Sequence, residues 1–164
     1  FMATFNNSIE DTIIAGTEYN DTITNTAYTV TINAGKGDDV IYGSRHETIQ
    51  YANGDGNDTY YNKHSFGGFI EITTGDVTNY KIVGKDHIIK IGNGSITFKD
   101  QRIEDNNAFS QVNFLVKSNG TLKRYINGAM IPVALREPIA VFSILLINVE
   151  GSSMFLSTPG TFVS

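Results

Sequence analysis

No cysteine and no tryptophan occur among the 164 residues. The first absence removes disulfides, thiolate metal sites and thiol nucleophiles together. It leaves secretion open, because a bound metal can staple a small fold as a disulfide would. Long apolar runs are missing too. The longest uncharged apolar stretch, residues 138–149, is too short to cross a bilayer as a helix, so no membrane span is expected. The opening Phe1-Met2-Ala3 has neither a basic region nor an apolar core, so no cleavable leader is expected within this chain. Serine, histidine and aspartate are present, but no Gly-x-Ser-x-Gly elbow is. Lys36 lies between Gly35 and Gly37 without the spacing of a phosphate loop. With no catalytic constellation, the chain reads as a non-enzyme.

Basic charge is in deficit, and unevenly so. The net charge is −5. Residues 1–101 carry 13 Asp+Glu against 7 Lys+Arg, whereas residues 102–164 carry 4 against 5. An acidic surface argues against nucleic acid as a partner and for a cation.

Glycine, at 16 residues, is plentiful, and it is placed in a pattern. Ala34-Gly35-Lys36-Gly37-Asp38-Asp39 reads as a turn that runs into the short strand Val40-Ile41-Tyr42. Glycines let the backbone bend into positive φ and aim carbonyls inward. Asp39 adds a carboxylate where turn becomes strand. Carbonyls plus carboxylates are what a hard divalent cation such as calcium takes. The pattern recurs upstream as Gly16-Thr17-Glu18-Tyr19-Asn20-Asp21 and downstream as Asn53-Gly54-Asp55-Gly56-Asn57-Asp58. Asp21 and Asp39 are 18 residues apart, and Asp39 and Asp58 are 19. Both spacings are close to twice nine. Residues 6–61 parse into units of about nine, with Asp11-Thr12-Ile13, Asp21-Thr22-Ile23, Asp39-Val40-Ile41, Glu47-Thr48-Ile49 and Asp58-Thr59-Tyr60 sharing the order acid, β-former, apolar.

These three turns resemble the RTX (repeats-in-toxin) family of hemolysin-type calcium-binding repeats, whose nonapeptide winds into a parallel β-helix. The resemblance covers residues 10–61 directly. It implies a short parallel β-roll, a β-solenoid in which alternate units stack on the same side. The side holding Asp21, Asp39 and Asp58 has every turn acidic; the other lacks the glycine pattern, so metal is expected on one side only. By resemblance the candidate ligands are Gly16, Glu18, Asn20, Asp21, Ala34, Lys36, Asp38, Asp39, Asn53, Asp55, Asn57 and Asp58. Asp21 and Asp39 would share one calcium ion, and Asp39 and Asp58 a second. Ile23, Ile41 and Tyr60 would fill the core. The first turn has Tyr19 where the family has glycine, which makes it the weakest copy.

The rest of the chain reads as further strands. Phe69–Thr73, Tyr80–Val83, His87–Ile91 and Ser95–Phe98 alternate around Gly/Asn turns, an antiparallel meander that caps the open end of the roll. Residues 101–110 read as a linker or a turn of helix. Val112–Lys117, Thr121–Ile126 and Ala129–Leu135 form hairpins around Asn119-Gly120 and Asn127-Gly128, and Pro132 demotes the third strand to an edge. Residues 139–149 are a buried strand or a buried helix, with strand favoured. The tail, 154–164, is either a last strand or an uncleaved export signal of the kind RTX proteins carry. The expected fold is therefore all-β, with a calcium-binding roll and its cap over residues 6–101 and a β-rich segment over 102–164.

Several side chains admit other chemistry. His46 and His64, 18 apart, would suit a transition metal if stacked; solvated histidines are the plainer reading. Asp38, Asp39, Asp55 and Asp58 offer carboxylate pairs of the glycosidase kind, but in glycine turns metal ligation explains them better. Tyr42, Tyr51 and Tyr61, spaced near nine, would form an aromatic row able to stack on a glycan, set against plain strand propensity. The resemblance implies an extracellular, secreted module with calcium ions as its partners, which folds when it meets calcium outside the cell. The alternatives are the C-terminal accessory part of an extracellular protease, lipase or polysaccharide-modifying enzyme, or a module for a glycan or cell-surface ligand.

Overall fold

The computed structural model describes residues 1–62, 68–101, 113–126 and 129–132. They form fourteen strands and, among the described residues, no helix. The strands are β1 (Thr4–Asn7), β2 (Ile13–Thr17), β3 (Thr22–Asn25), β4 (Thr31–Gly35), β5 (Val40–Tyr42), β6 (Thr48–Ala52), β7 (Asn57–Tyr61), β8 (Phe69–Thr74), β9 (Val77–Val83), β10 (Asp86–Ile91), β11 (Gly94–Lys99), β12 (Asn113–Ser118), β13 (Thr121–Ile126) and β14 (Ala129–Pro132). All of them lie in one compact unit, Phe1–Val133. The readings made for residues 139–149, the tail, the linker and His64 fall outside the described residues.

The chain winds back and forth between two sheets, as a roll requires. One sheet runs β1-β3-β5-β7-β11-β10-β9 and the other β14-β13-β12-β8-β6-β4-β2. Successive odd strands pair in parallel, with Ile23 against Ile41 and Ile41 against Tyr60. Even strands do the same, with Ile14 against Ile32 and Ile32 against Ile49. The unit length sets this register. Eighteen residues bring the chain once round, so the same apolar position returns to the same place in the core. Ile23, Ile32, Ile41, Ile49, Tyr60, Ile70 and Phe98 are each essentially inaccessible to solvent. Each such side chain contributes roughly 1.5–3 kcal/mol of hydrophobic stabilisation.

Ile13 departs from the sequence reading. It is 75% exposed, and Ile14 takes the core position instead. The two isoleucines are adjacent, and a slip of one residue turns a strand's side chains to the opposite face. The apolar member of the first unit is therefore Ile14.

The cap also differs from a separate meander. β8 pairs in parallel with β6 and is one more rung of the roll. Only β9, β10 and β11 form the antiparallel part, and β11 joins the first sheet by pairing in parallel with β7. β12 pairs in parallel with β8, so the second sheet continues past residue 101 into β13 and the edge strand β14. That end is closed by an aromatic cluster. Phe98 packs on Phe114, and Tyr80 meets Tyr125 edge-on.

Candidate functional site

The three glycine-aspartate turns connect β2 to β3, β4 to β5 and β6 to β7, so they stack along one edge of the roll. Stacking is close enough to dictate glycine. At Gly56 a Cβ would stand 1.9 Å from the carbonyl oxygen of Gly37, and at Gly35 it would stand 1.9 Å from that of Thr17. Gly35, Gly37, Gly54 and Gly56 all have positive φ, between 94° and 120°.

The structure sorts the candidate ligands into two ladders. The inner one is Asp21, Asp39 and Asp58, all buried. The Asp39 amide donates to Asp58 Oδ1 at 3.1 Å, the Asp21 amide to Asp39 Oδ1 at 2.6 Å, and the Ala3 amide to Asp21 Oδ1 at 2.8 Å. The outer ladder is Asn20, Asp38 and Asn57, all exposed. There the Asp38 amide donates to Asn20 Oδ1 at 3.0 Å, the Asn57 amide to Asp38 Oδ1 at 2.7 Å, and the Ser95 hydroxyl to Asn57 Oδ1 at 3.1 Å.

The remaining candidates do local work. Asp55 folds back to accept the Ala52 amide at 2.6 Å, and Asn53 Oδ1 accepts the Asn93 amide at 3.1 Å. The Lys36 amide donates to the Thr17 carbonyl at 3.0 Å. Gly16 lies against Ala34, where a Cβ would come 1.9 Å from the Ala34 carbonyl oxygen. Glu18 is exposed on the surface of the first turn.

The three inner carboxylates are not equivalent. Burial works to raise Asp21, but the Ala3 amide and the hydroxyl and amide of Thr17 outweigh it and hold the carboxyl below its ordinary range. Burial pushes Asp39 up to about 6, helped by the neighbouring charges of Asp21, Asp55 and Asp38. Asp58 is pushed up to about 8, again mainly by burial, with Asp39 and Asp55 adding repulsion. Asp39 Oδ2 is buried with no hydrogen-bond partner. An acceptor left in that state costs about 1–3 kcal/mol.

A cation fits this donor set. It would partner Asp39 Oδ2 and offset the repulsion within the stack, in a cradle from which glycine excludes side-chain bulk. Among the described residues no three acidic or histidine side chains converge on one point. Any cation here would lean on main-chain carbonyls as well as carboxylates, the donor type that suits calcium.

The opposite edge is built differently. Asn7 Nδ2 donates to Asn25 Oδ1 at 2.9 Å, and Asn25 Nδ2 donates to Glu47 Oε1 at 2.6 Å. The Ser44 amide reaches the same Glu47 oxygen at 2.8 Å, and the Tyr60 hydroxyl donates to Glu47 Oε2. Burial and the Glu47 charge hold the Tyr60 hydroxyl well above its ordinary range. Sequence reasoning missed this ladder, although Asn7 and Asn25 stand one turn apart.

No family model and no curated protein matches the chain. Solved structures do resemble it. The crystal structure of the extracellular lipase LipA from Serratia marcescens superposes with a TM-score of 0.53 at 18% identity, over 64% of this chain and 18% of that one. At that identity the likeness concerns the fold: the chain is a β-solenoid that spans less than a fifth of the lipase.

The tyrosine row does not form. Tyr51 is buried on the second sheet, where its hydroxyl donates to the Gly56 carbonyl at 2.5 Å. Tyr42 and Tyr61 are exposed neighbours on the first sheet, stacked with ring centroids 5.2 Å apart and planes within 17°. Their facing surfaces cover each other, so they offer no broad flat platform. His87 is buried with its Nδ1 against the Tyr80 hydroxyl at 2.5 Å. Among the described residues no helix is long and apolar enough to cross a membrane.

Proposed function

We propose that this chain is a calcium-binding β-roll of the RTX kind from a secreted protein, with a structural rather than a catalytic role. The observation that carries the reading is Asp39 Oδ2, buried and unpartnered between two further buried aspartates. Asp39 and Asp58, with carbonyls of the second and third turns, would hold the ion. Its contribution there is charge neutralisation and the tying of one turn to the next. In low calcium the buried carboxylates repel and the edge is loosened. Outside the cell, calcium at the roughly 10⁻⁴–10⁻³ M to which extracellular modules respond closes it. Metal-binding energy then becomes folding energy.

The likeness to an extracellular lipase favours a second, compatible reading. The roll would be an accessory part of a larger secreted enzyme whose active site lies elsewhere. The test of the calcium reading is calorimetric titration of the chelated protein with calcium chloride, with far-UV circular dichroism recorded alongside. Uptake accompanied by a gain of β signal or of melting temperature supports it. No uptake at about 10⁻³ M calcium would reduce the three turns to turns alone.

A further inference from the structure

The first turn departs from the other two at both of their glycine positions, with Thr17 against Gly35 and Gly54 and Tyr19 against Gly37 and Gly56, and of the two only Thr17 touches an inner aspartate. The residue after the first small residue is Gly35 in the second turn and Gly54 in the third, both at positive φ; in the first it is Thr17, which is not. Thr17 places its hydroxyl 2.8 Å and its amide 2.6 Å from Asp21 Oδ2. Ala3 takes the other oxygen. The Asp21 carboxylate is therefore fully engaged by protein donors, whereas Asp39, one turn on, keeps a buried oxygen with none. At the other end of the stack, the residue in register beyond Asp58 is Ile96, fully buried and without a donor.

From this we infer that Thr17 does for Asp21 what a cation does for Asp39, so that the edge takes one calcium ion, between the second and third turns, and not two. The inference rests on the calcium reading and adds its stoichiometry and the residue that sets it. Thr17 closes the stack on one side, and Ile96 closes it on the other. The interval between Asp39 and Asp58 is bounded on both sides by an aspartate that receives one backbone amide, whereas the interval before it is bounded by Asp21, both of whose oxygens already have donors. Glycine at position 17 would remove the hydroxyl and free Asp21 Oδ2 to share an ion with Asp39.

The experiment is a count of bound calcium on the full chain, by equilibrium dialysis and by native mass spectrometry, after chelation and return to calcium chloride. The wild type takes one ion. Asp21→Asn still takes one, with affinity within about threefold of the wild type, whereas Asp39→Asn and Asp58→Asn each lose affinity by tenfold or more, about 1.4 kcal/mol. Thr17→Ser, which keeps the hydroxyl, takes one; Thr17→Gly takes two. Two ions on the wild type, or a loss of about tenfold in Asp21→Asn, would overturn the single-site inference and leave the calcium reading standing. A folded Thr17→Gly that still takes one ion would overturn the role given to Thr17. No ion on the wild type would overturn the calcium reading itself. If Thr17→Gly does not fold, Asp21→Asn and Thr17→Ser still decide the matter.

Discussion

Along one edge of the roll the inward polar groups are Asp21, Asp39 and Asp58; along the other they are Asn7, Asn25 and Glu47. Both sets climb the solenoid one turn at a time. Both face the same problem, since a polar group inside a narrow core must find a partner. The amide edge solves it within the chain. Each asparagine has donors as well as acceptors, so each passes a hydrogen bond to the next, and Glu47 ends the series by collecting Asn25, Ser44 and Tyr60. The aspartate edge cannot close in that way. Carboxylates only accept, and Asp39, with a single backbone amide as its donor, is left short. An acceptor-only ladder calls for something positive from outside. On the calcium reading the labour is divided, with one edge fastened within the chain and the other by its medium.

The largest effect is expected from breaking the fastened edge. Glu47→Ala strips the acceptor from three buried or half-buried donors at once. Unfolding in urea should show a loss of about 3–5 kcal/mol. The loss should be the same in chelator and in calcium, because the other edge is untouched. A loss that calcium repaired would mean that the two edges are not independent.

Next in size is the backbone of the aspartate edge. Gly56→Ala forces a Cβ to within 1.9 Å of a main-chain oxygen at a φ of 117°. Gly54 has a similar φ, but a Cβ there meets nothing within 4 Å. Gly54→Ala should therefore cost about 1–2 kcal/mol, the strain of left-handed backbone alone, and Gly56→Ala distinctly more. Equal melting temperatures for the two variants would mean that the turns do not stack as closely as described.

Much of this architecture was legible in the residues, and the reason is periodicity. A spacing of two nines in Asp21, Asp39 and Asp58 predicts both the winding and the shared edge, and the core positions of Ile23, Ile41 and Tyr60 follow. Where two residues of one type stand together the pattern loses its phase, which is how Ile13 stood in for Ile14. Tyr51 was misplaced for a related reason. A spacing near nine links units on alternate sheets, so Tyr51 faces away from Tyr42 and Tyr61 even though the three look like a series. The asparagine ladder carried no glycine signature to announce it. Thr17 was visible only as a missing glycine, and its hydrogen bonds to Asp21 belong to the three-dimensional turn. The β12–β13 hairpin follows from Asn119-Gly120, but the place of β8 in the roll and the pairing of β12 with it do not, because alternation marks a strand without naming its partner.

A third prediction uses pH to separate the edges. Asp39 and Asp58 have folded values of about 6 and about 8, above the ordinary carboxylate value of 3.8. A carboxyl raised on folding binds its proton more tightly in the folded state. Its stabilising contribution is thus complete below the unfolded value and is lost as pH rises through the folded one. In chelator, stability should fall between about pH 4 and pH 8. Asp21 is shifted the other way and works against the trend at the acid end, below the ordinary carboxylate value. Calcium should flatten the decline by replacing the protons. Chemical denaturation at a series of pH values, with and without calcium, would show it. A flat profile in chelator would mean that Asp39 and Asp58 are solvated rather than buried.

The smallest effect has the most informative sign. Asp39→Asn swaps a carboxylate for a near-isosteric amide. Its Oδ1 can still accept the Asp21 amide, and the unpartnered Oδ2 gives way to an uncharged amide nitrogen. In chelator at neutral pH the variant should be more stable than the wild type by about 1 kcal/mol, because a buried, repelled charge has gone. In calcium the order should reverse, since the wild type gains an ion that the variant cannot hold. The corresponding change at the other edge, Glu47→Gln, should show no such crossing. It places an amide among groups that already donate, and it is destabilising whether or not calcium is present. A crossing at position 39 together with none at position 47 would distinguish an edge that waits for a cation from one that needs none; melting curves of the two variants in both media are enough to see it.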